Sequence, residues 1–94
     1  MSWSMTLTTS EPVTEEQFDA VCEALPDDMK GPHAASKQVW GWSLQVDVWQ
    51  DDPKHIRVGG AGFSRELADS FGKEFAKRLG EACACRVRRG KISE

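Results

Sequence analysis

The segment VWGWSLQVDVWQDDPKHIRV runs from Val39 to Val58 and carries the clearest hairpin pattern in the chain. Trp40, Trp42, Leu44, Val46 and Val48 fall on one parity. Gly41, Ser43, Gln45, Asp47 and Trp49 fall on the other. A period of two marks a strand with one buried face, so the pattern predicts one long strand over residues 39–50. Asp51-Asp52-Pro53 is a turn signal, because Asp bonds its own backbone and Pro presets its backbone angle. A second strand follows, with Ile56 and Val58 on one face and His55 and Arg57 on the other. The short link makes the two a β-hairpin.

Upstream, Trp3, Met5 and Leu7 alternate with Ser4, Thr6 and Thr8, which reads as another half-buried strand. Glu11-Pro12 ends it. Thr14 and Gln17 have the spacing of a capping box, and Val13 with Phe18 that of a hydrophobic staple. Glu15 and Glu16 sit where the helix dipole favours negative charge. Phe18, Val21, Cys22 and Leu25 continue at helical spacing until Pro26 stops the helix near Leu25. Residues 26–37 read as a long polar connection.

Downstream, the run Gly59-Gly60-Ala61-Gly62 predicts a loosened strand with a bulge. Ser64 is placed to cap a second helix. Leu67, Phe71, Phe75 and Leu79 give its apolar stripe, and Gly80 reads as its stop. Cys83, Cys85 and Val87 then alternate with Ala84, Arg86 and Arg88, which predicts a last strand.

The order is strand, helix, strand, strand, helix, strand. Each helix has one apolar stripe and each strand one apolar face, so two layers bury them together. The expected class is α+β: a ferredoxin-like βαββαβ two-layer sandwich, with an antiparallel four-stranded sheet and both helices on one face. Its spatial order is fourth, first, third, second, which puts the Trp-rich strand at an edge. The alternative is a small α+β domain in which residues 83–89 never join the sheet. On either reading residues 1–94 form a single domain, with 89–94 expected as a flexible C-terminal tail.

At 94 residues and 10.5 kDa the chain has room for one modest core. No apolar run approaches the roughly 18 residues of a membrane span. The N-terminal residues lack the basic start and apolar middle of a signal peptide, so a cytoplasmic location is expected. Three cysteines, Cys22, Cys83 and Cys85, are an odd and sparse set for a disulfide scaffold. Net charge is −3 but unevenly spread: residues 1–53 hold ten acids and two bases, residues 54–94 five acids and ten bases. That asymmetry marks either a face for an anionic partner or two halves that attract each other.

Motifs with chemistry are scarce. The Cys83–Cys85 spacing is not that of a zinc knuckle, and no metal or cofactor is expected. His33 and His55 have no nucleophile at a recognisable spacing. The acids of the first helix all sit on its polar side. Gly59, Gly60 and Gly62 meet neither the P-loop nor the dinucleotide pattern, although a bend over 59–64 offers a place to hold an anion. An RNA-recognition motif would need stacking aromatics in the strand over residues 57–62, and Phe63 comes too late. The chain therefore reads as a non-enzymatic module. Its polar sheet face carries Ser4, Thr6, Thr8, Ser43, Gln45, Asp47, Trp49, Arg57, Arg86 and Arg88. Trp49 is the natural interface anchor, since Trp and Arg dominate binding energy at interfaces.

The marks Thr14-Glu15-Glu16-Gln17, Leu25, His33 and Asp51-Asp52-Pro53 resemble those of small split β-α-β proteins of actinobacteria and their phages. The likeness covers about half the chain, which departs from the pattern in its Trp content and basic tail. It implies no catalytic residues. A phage origin implies a small protein that binds and alters a host protein. The expected function is thus a protein-interaction module acting on a host or cognate protein, with Gln45, Asp47, Trp49, Arg57, Arg86 and Arg88 as candidates. A homodimer through an edge strand is a second arrangement. The alternative function is a nucleic-acid-binding domain using Arg57, Arg86, Arg88, Arg89 and Lys91. A small-ligand regulatory domain is a third reading.

Overall fold

The computed structural model describes residues 2–29, 38–41, 44–61 and 65–94, without the side chains of residues 28, 38–41, 44 and 45. The elements are β1 (Ser2–Thr9), α1 (Glu15–Glu23), a 3-10 turn (Asp27–Met29), β2 (Gln38–Gly41), β3 (Leu44–Asp52), β4 (His55–Ala61), α2 (Arg65–Cys83) and β5 (Val87–Arg89). The class is α+β, an open antiparallel sheet with two helices. The sheet order is β2-β3-β4-β1-β5, and every neighbouring pair is antiparallel.

The expected long strand over 39–50 is two strands. Val39 pairs with Val46 and Gly41 with Leu44, so the segment doubles back on itself. The sheet therefore has five strands, and the outermost on this side is β2. Trp49 lies on β3, which is second from the margin, and not on an edge strand. The fold-back also reverses parity: position 40 is registered opposite Gln45 and position 39 opposite Val46, so the expected common face of Trp40 and Val46 does not hold.

The core lies on the helix side of the sheet. Trp3, Met5 and Leu7 from β1, Val46 and Val48 from β3, and Ile56 and Val58 from β4 are buried with Phe18 of α1 and Phe71, Phe75 and Leu79 of α2. Phe75 stacks on Phe71 at 6.2 Å and meets Phe18 edge-on at 6.4 Å, which ties the two helices together. The predicted cap of α1 is present: Gln17 N–H donates to Thr14 Oγ1, and Thr14 N–H donates to Gln17 Oε1. Val13 and Phe18, the staple pair, are both buried. The connection after α1 is less polar than its composition suggests, since Met29 in the 3-10 turn joins the core.

Two further expectations are corrected. Gly59, Gly60 and Ala61 stay in register with Ser4, Trp3 and Ser2, so the glycine run holds no bulge there. The irregularity lies between Gln50 and Asp52 on β3. Helix α2 does not stop at Gly80 but runs to Cys83. Ala84 then turns left-handed (φ 50°), and Cys85 N–H donates to Gly80 O at 3.1 Å, the long bond of a Schellman ending. Gly80 is needed for space instead: a Cβ there would stand 3.0 Å from Cys85 O. The last strand is correspondingly short, Val87–Arg89, paired with Leu7, Thr8 and Thr9.

Beyond β5 the chain keeps to the margin of β1. Gly90 N–H donates to Thr6 O, and Ser4 and Ser93 exchange two backbone bonds of 2.8 Å. Among the described residues no helix is long and apolar enough to cross a membrane. His33, Trp42, Ser43 and residues 62–64 lie outside the described residues, as do the side chains of Trp40, Leu44 and Gln45.

Candidate interaction surface

The helices cover one face of the sheet, so alternation along each strand delivers the other parity to the opposite face. On β1 that face carries Ser4, Thr6 and Thr8, half-buried between their neighbours. Register then fixes the rows. Asp47 on β3 lies across from Gly59 on β4, which lies across from Ser4. Trp49 lies across from Arg57, and Arg57 from Thr6. His55 and Arg88 flank Thr8 on either side.

Trp49 is the exposed large apolar side chain of the described residues, at 38%. The bulge of β3 comes after it and does not turn it inward. The Arg57 guanidinium carbon lies 5.8 Å from the centre of its indole, in cation–π range. Arg57 is also held by Asp51 at 3.0 Å. Asp51, read from sequence as part of the turn, is thus a member of this surface. Its position two residues after Trp49 was the available signal.

The arginines are divided. Arg89 opposes Leu7, a core residue, and so points to the helix side, where it bonds Asp69 of α2 at 2.8 Å. It does not join Arg57, Arg86 and Arg88 on the open face, which corrects its place in the nucleic-acid reading. Arg88 is exposed on β5. Arg86 is exposed just before it, with its backbone bonded to Ser10. Strand spacing and register put Arg57 and Arg88 roughly 12 Å apart at their Cα atoms. Lys91 is exposed beyond β5.

Between the Trp49 row and the C-terminal residues lies an open depression of about 460 Å³. Asp47, Trp49 and Arg57 form one wall, and Ser93 and Glu94 contribute the other. Asp47 is half-buried, and its Oδ1 is sealed from solvent with no hydrogen-bond partner among the described residues; Gln38, its neighbour on β2, has a side chain outside them. Nothing in the sequence marked Ser93 and Glu94 as neighbours of this surface, because their place depends on Ser93 bridging to Ser4.

Titratable chemistry elsewhere is modest. At the hairpin turn Asp52 accepts from His55 Nδ1 at 2.8 Å and from Lys54 N–H at 2.9 Å. The bond from His55, foremost, holds its carboxyl below the usual carboxylate value. Burial raises the Cys83 thiol, with Cys85 adding to the effect. A raised thiol is a weaker nucleophile at neutral pH. No group of three or more metal-ligating side chains occurs among the described residues. In the glycine run, Gly59, Gly60 and Ala61 are occupied in β4 pairing.

No family model matches the chain, and neither a curated protein nor a solved structure matches it.

Proposed function

We propose that the protein is a non-enzymatic interaction module whose open sheet face, centred on Trp49, binds another protein. The observation that carries this reading is the exposed indole of Trp49 stacked by Arg57 on an otherwise polar face. A large ring held rigid by a cross-strand neighbour gives contact area at low entropic cost. With β2 outside β3, the flat of the sheet around Trp49 is the contact region in this proposal, not an edge. The resemblance to small phage and actinobacterial proteins makes a host protein the proposed partner. The order β3-β4-β1-β5 within the sheet supports a ferredoxin-like reading with β2 added at the margin.

Nucleic acid is the weaker reading. Of the five cations it would use, Arg57 is paired with Asp51 and Arg89 faces the helices. Phosphate contacts need unneutralised charge aligned along a strand of backbone, and Asp47 and Asp51 share this face.

The test is capture from an actinobacterial lysate treated with nuclease, comparing wild type with Trp49→Ala. A protein retained by wild type and lost by Trp49→Ala is expected. Identical recovery with both proteins, or recovery that disappears with nuclease, would overturn the proposal.

A further inference from the structure

We infer that the margin formed by β5 and α2 takes an acidic, extended segment of a partner protein as one more strand beside β5, the last strand of the sheet. The site is separate from the Trp49 face and does not depend on it. The backbone of β5 comes first. Ser10 N–H donates to Arg86 O, Gly90 N–H donates to Thr6 O, and Arg88 lies across from Thr8 between them. Arg86, Arg88 and Gly90 therefore turn their backbone groups towards β1. Bonding alternates along an antiparallel ladder, so the N–H and C=O groups of Val87 and Arg89 point the other way, off the margin of the sheet. No described residue pairs with them there. Such an edge is a template for an added strand.

The margin is also a groove. Between α2 and β5 lies an open space of about 480 Å³, with Ala76, Gly80 and Val87 as its apolar lining and Lys73 and Lys77 beside them. A single acid, Glu81, lines it. Val87 shares the helix side with Arg89, so alternate side chains of an added strand enter this groove and the others lie beside Arg86 and Arg88 on the open face. Lys73, Lys77, Arg86 and Arg88 are exposed and have no ion pair among the described residues, whereas Arg89 is held by Asp69. Charge then chooses the guest. A second copy pairing through β5 would set Arg88 against Arg88, or Arg86 against Arg88, and like charges across a strand pair destabilise it. Nucleic acid would bring phosphates against the outward carbonyls of Val87 and Arg89. A strand whose acids alternate with apolar residues matches the backbone groups, the groove and the cations together.

The experiment is an NMR titration and amide hydrogen exchange of the whole protein with the blocked peptide Glu-Val-Glu-Val-Glu. Lys-Val-Lys-Val-Lys reverses its charge. A form Nα-methylated at every residue keeps the charge but has no backbone donor, and a short single-stranded RNA is the competing class. With the acidic peptide at about ten times its Kd, exchange of the Val87 and Arg89 amides should slow roughly tenfold. The Arg88 amide, already turned to β1, should change little. The lysine peptide, the methylated peptide and RNA should slow neither amide. Arg86→Glu combined with Arg88→Glu should weaken the acidic peptide about tenfold, while Trp49→Ala should leave it unchanged. Equal protection by the lysine or methylated peptide, unchanged affinity in the double arginine variant, loss of binding in Trp49→Ala, or RNA protecting these amides where the acidic peptide does not, would overturn the proposal. If the double arginine variant gives the spectrum of an unfolded chain, Lys73→Gln combined with Lys77→Gln supplies the second arm and must also weaken the peptide.

Discussion

Trp49 and Arg57 stand directly opposite each other on β3 and β4, with the guanidinium carbon 5.8 Å from the indole centre and its nitrogen 3.0 Å from Asp51. The pairing converts an exposed, mobile Arg into a braced one. Arg57→Met keeps the apolar stem and removes the charge. It should lower stability by about 0.5–1 kcal/mol, the range of an exposed cation–π contact. Urea denaturation followed by circular dichroism measures this, and an unchanged midpoint would mean that the stack contributes nothing.

Ala84 closes α2 in the left-handed region, at φ 50°. A side chain there costs roughly 1–2 kcal/mol because Cβ crowds the following carbonyl. Ala84→Gly should therefore raise stability by about 0.5–1 kcal/mol, after the greater freedom of Gly in the unfolded chain is subtracted. A thermal midpoint that falls would refute the Schellman ending at this position.

Gly59 sits opposite Ser4 where β4 packs against β1. A Cβ there would stand 2.6 Å from the Trp3 carbonyl oxygen and 3.1 Å from Ser4 Cβ. Backbone of a central strand cannot step aside without breaking the ladder, so Gly59→Ala should destabilise by about 1–3 kcal/mol. Gly72→Ala makes a useful contrast, because the atoms its Cβ meets belong to the flexible Met5 side chain. The Gly59 variant should be the less stable of the two by chemical denaturation.

The Asp52–His55 contact predicts an acid-side dependence. The Asp52 carboxyl is held below its ordinary value of 3.8, chiefly by the His55 hydrogen bond. A depressed folded value means that the folded state binds the proton later than the unfolded state. The contribution is thus complete above pH 3.8 and is lost as pH falls through the lower folded value. Asp52→Asn should be less stable than wild type at about pH 6, and the gap should close towards about pH 3. Urea midpoints at the two pH values decide it. A gap that persists at the acid end would show that the carboxylate charge is not what Asp52 contributes.

Much of the architecture was legible in local patterns. Thr14 and Gln17 announced α1 because capping is a contact three residues long. The alternation of Trp3, Met5 and Leu7 announced β1, since parity alone decides which side chains a sheet buries. Gly80 misled because glycine serves two purposes. It ends helices by adopting a left-handed backbone, and it permits close approach. Only the position of Cys85 O against α2 tells these apart. The candidate surface was legible in part. Parity placed Asp47, Trp49 and Arg57 on one face, but Arg89 was counted with the other arginines until pairing with Leu7 set it on the helix side.

The sequence by itself determined the helices, the apolar faces of β1, β3 and β4 and the period-two exposure of Trp49, because these depend on spacings within a few residues. The tertiary structure decided that residues 38–52 double back into two strands, that Asp47 lies between Gln38 and Gly59 in the sheet, and that Ser93 and Glu94 close the far side of the depression. Those outcomes depend on which strand lies beside which, and on register across gaps of tens of residues. No local periodicity carries that information, because a strand's alternation is the same whatever neighbour it pairs with.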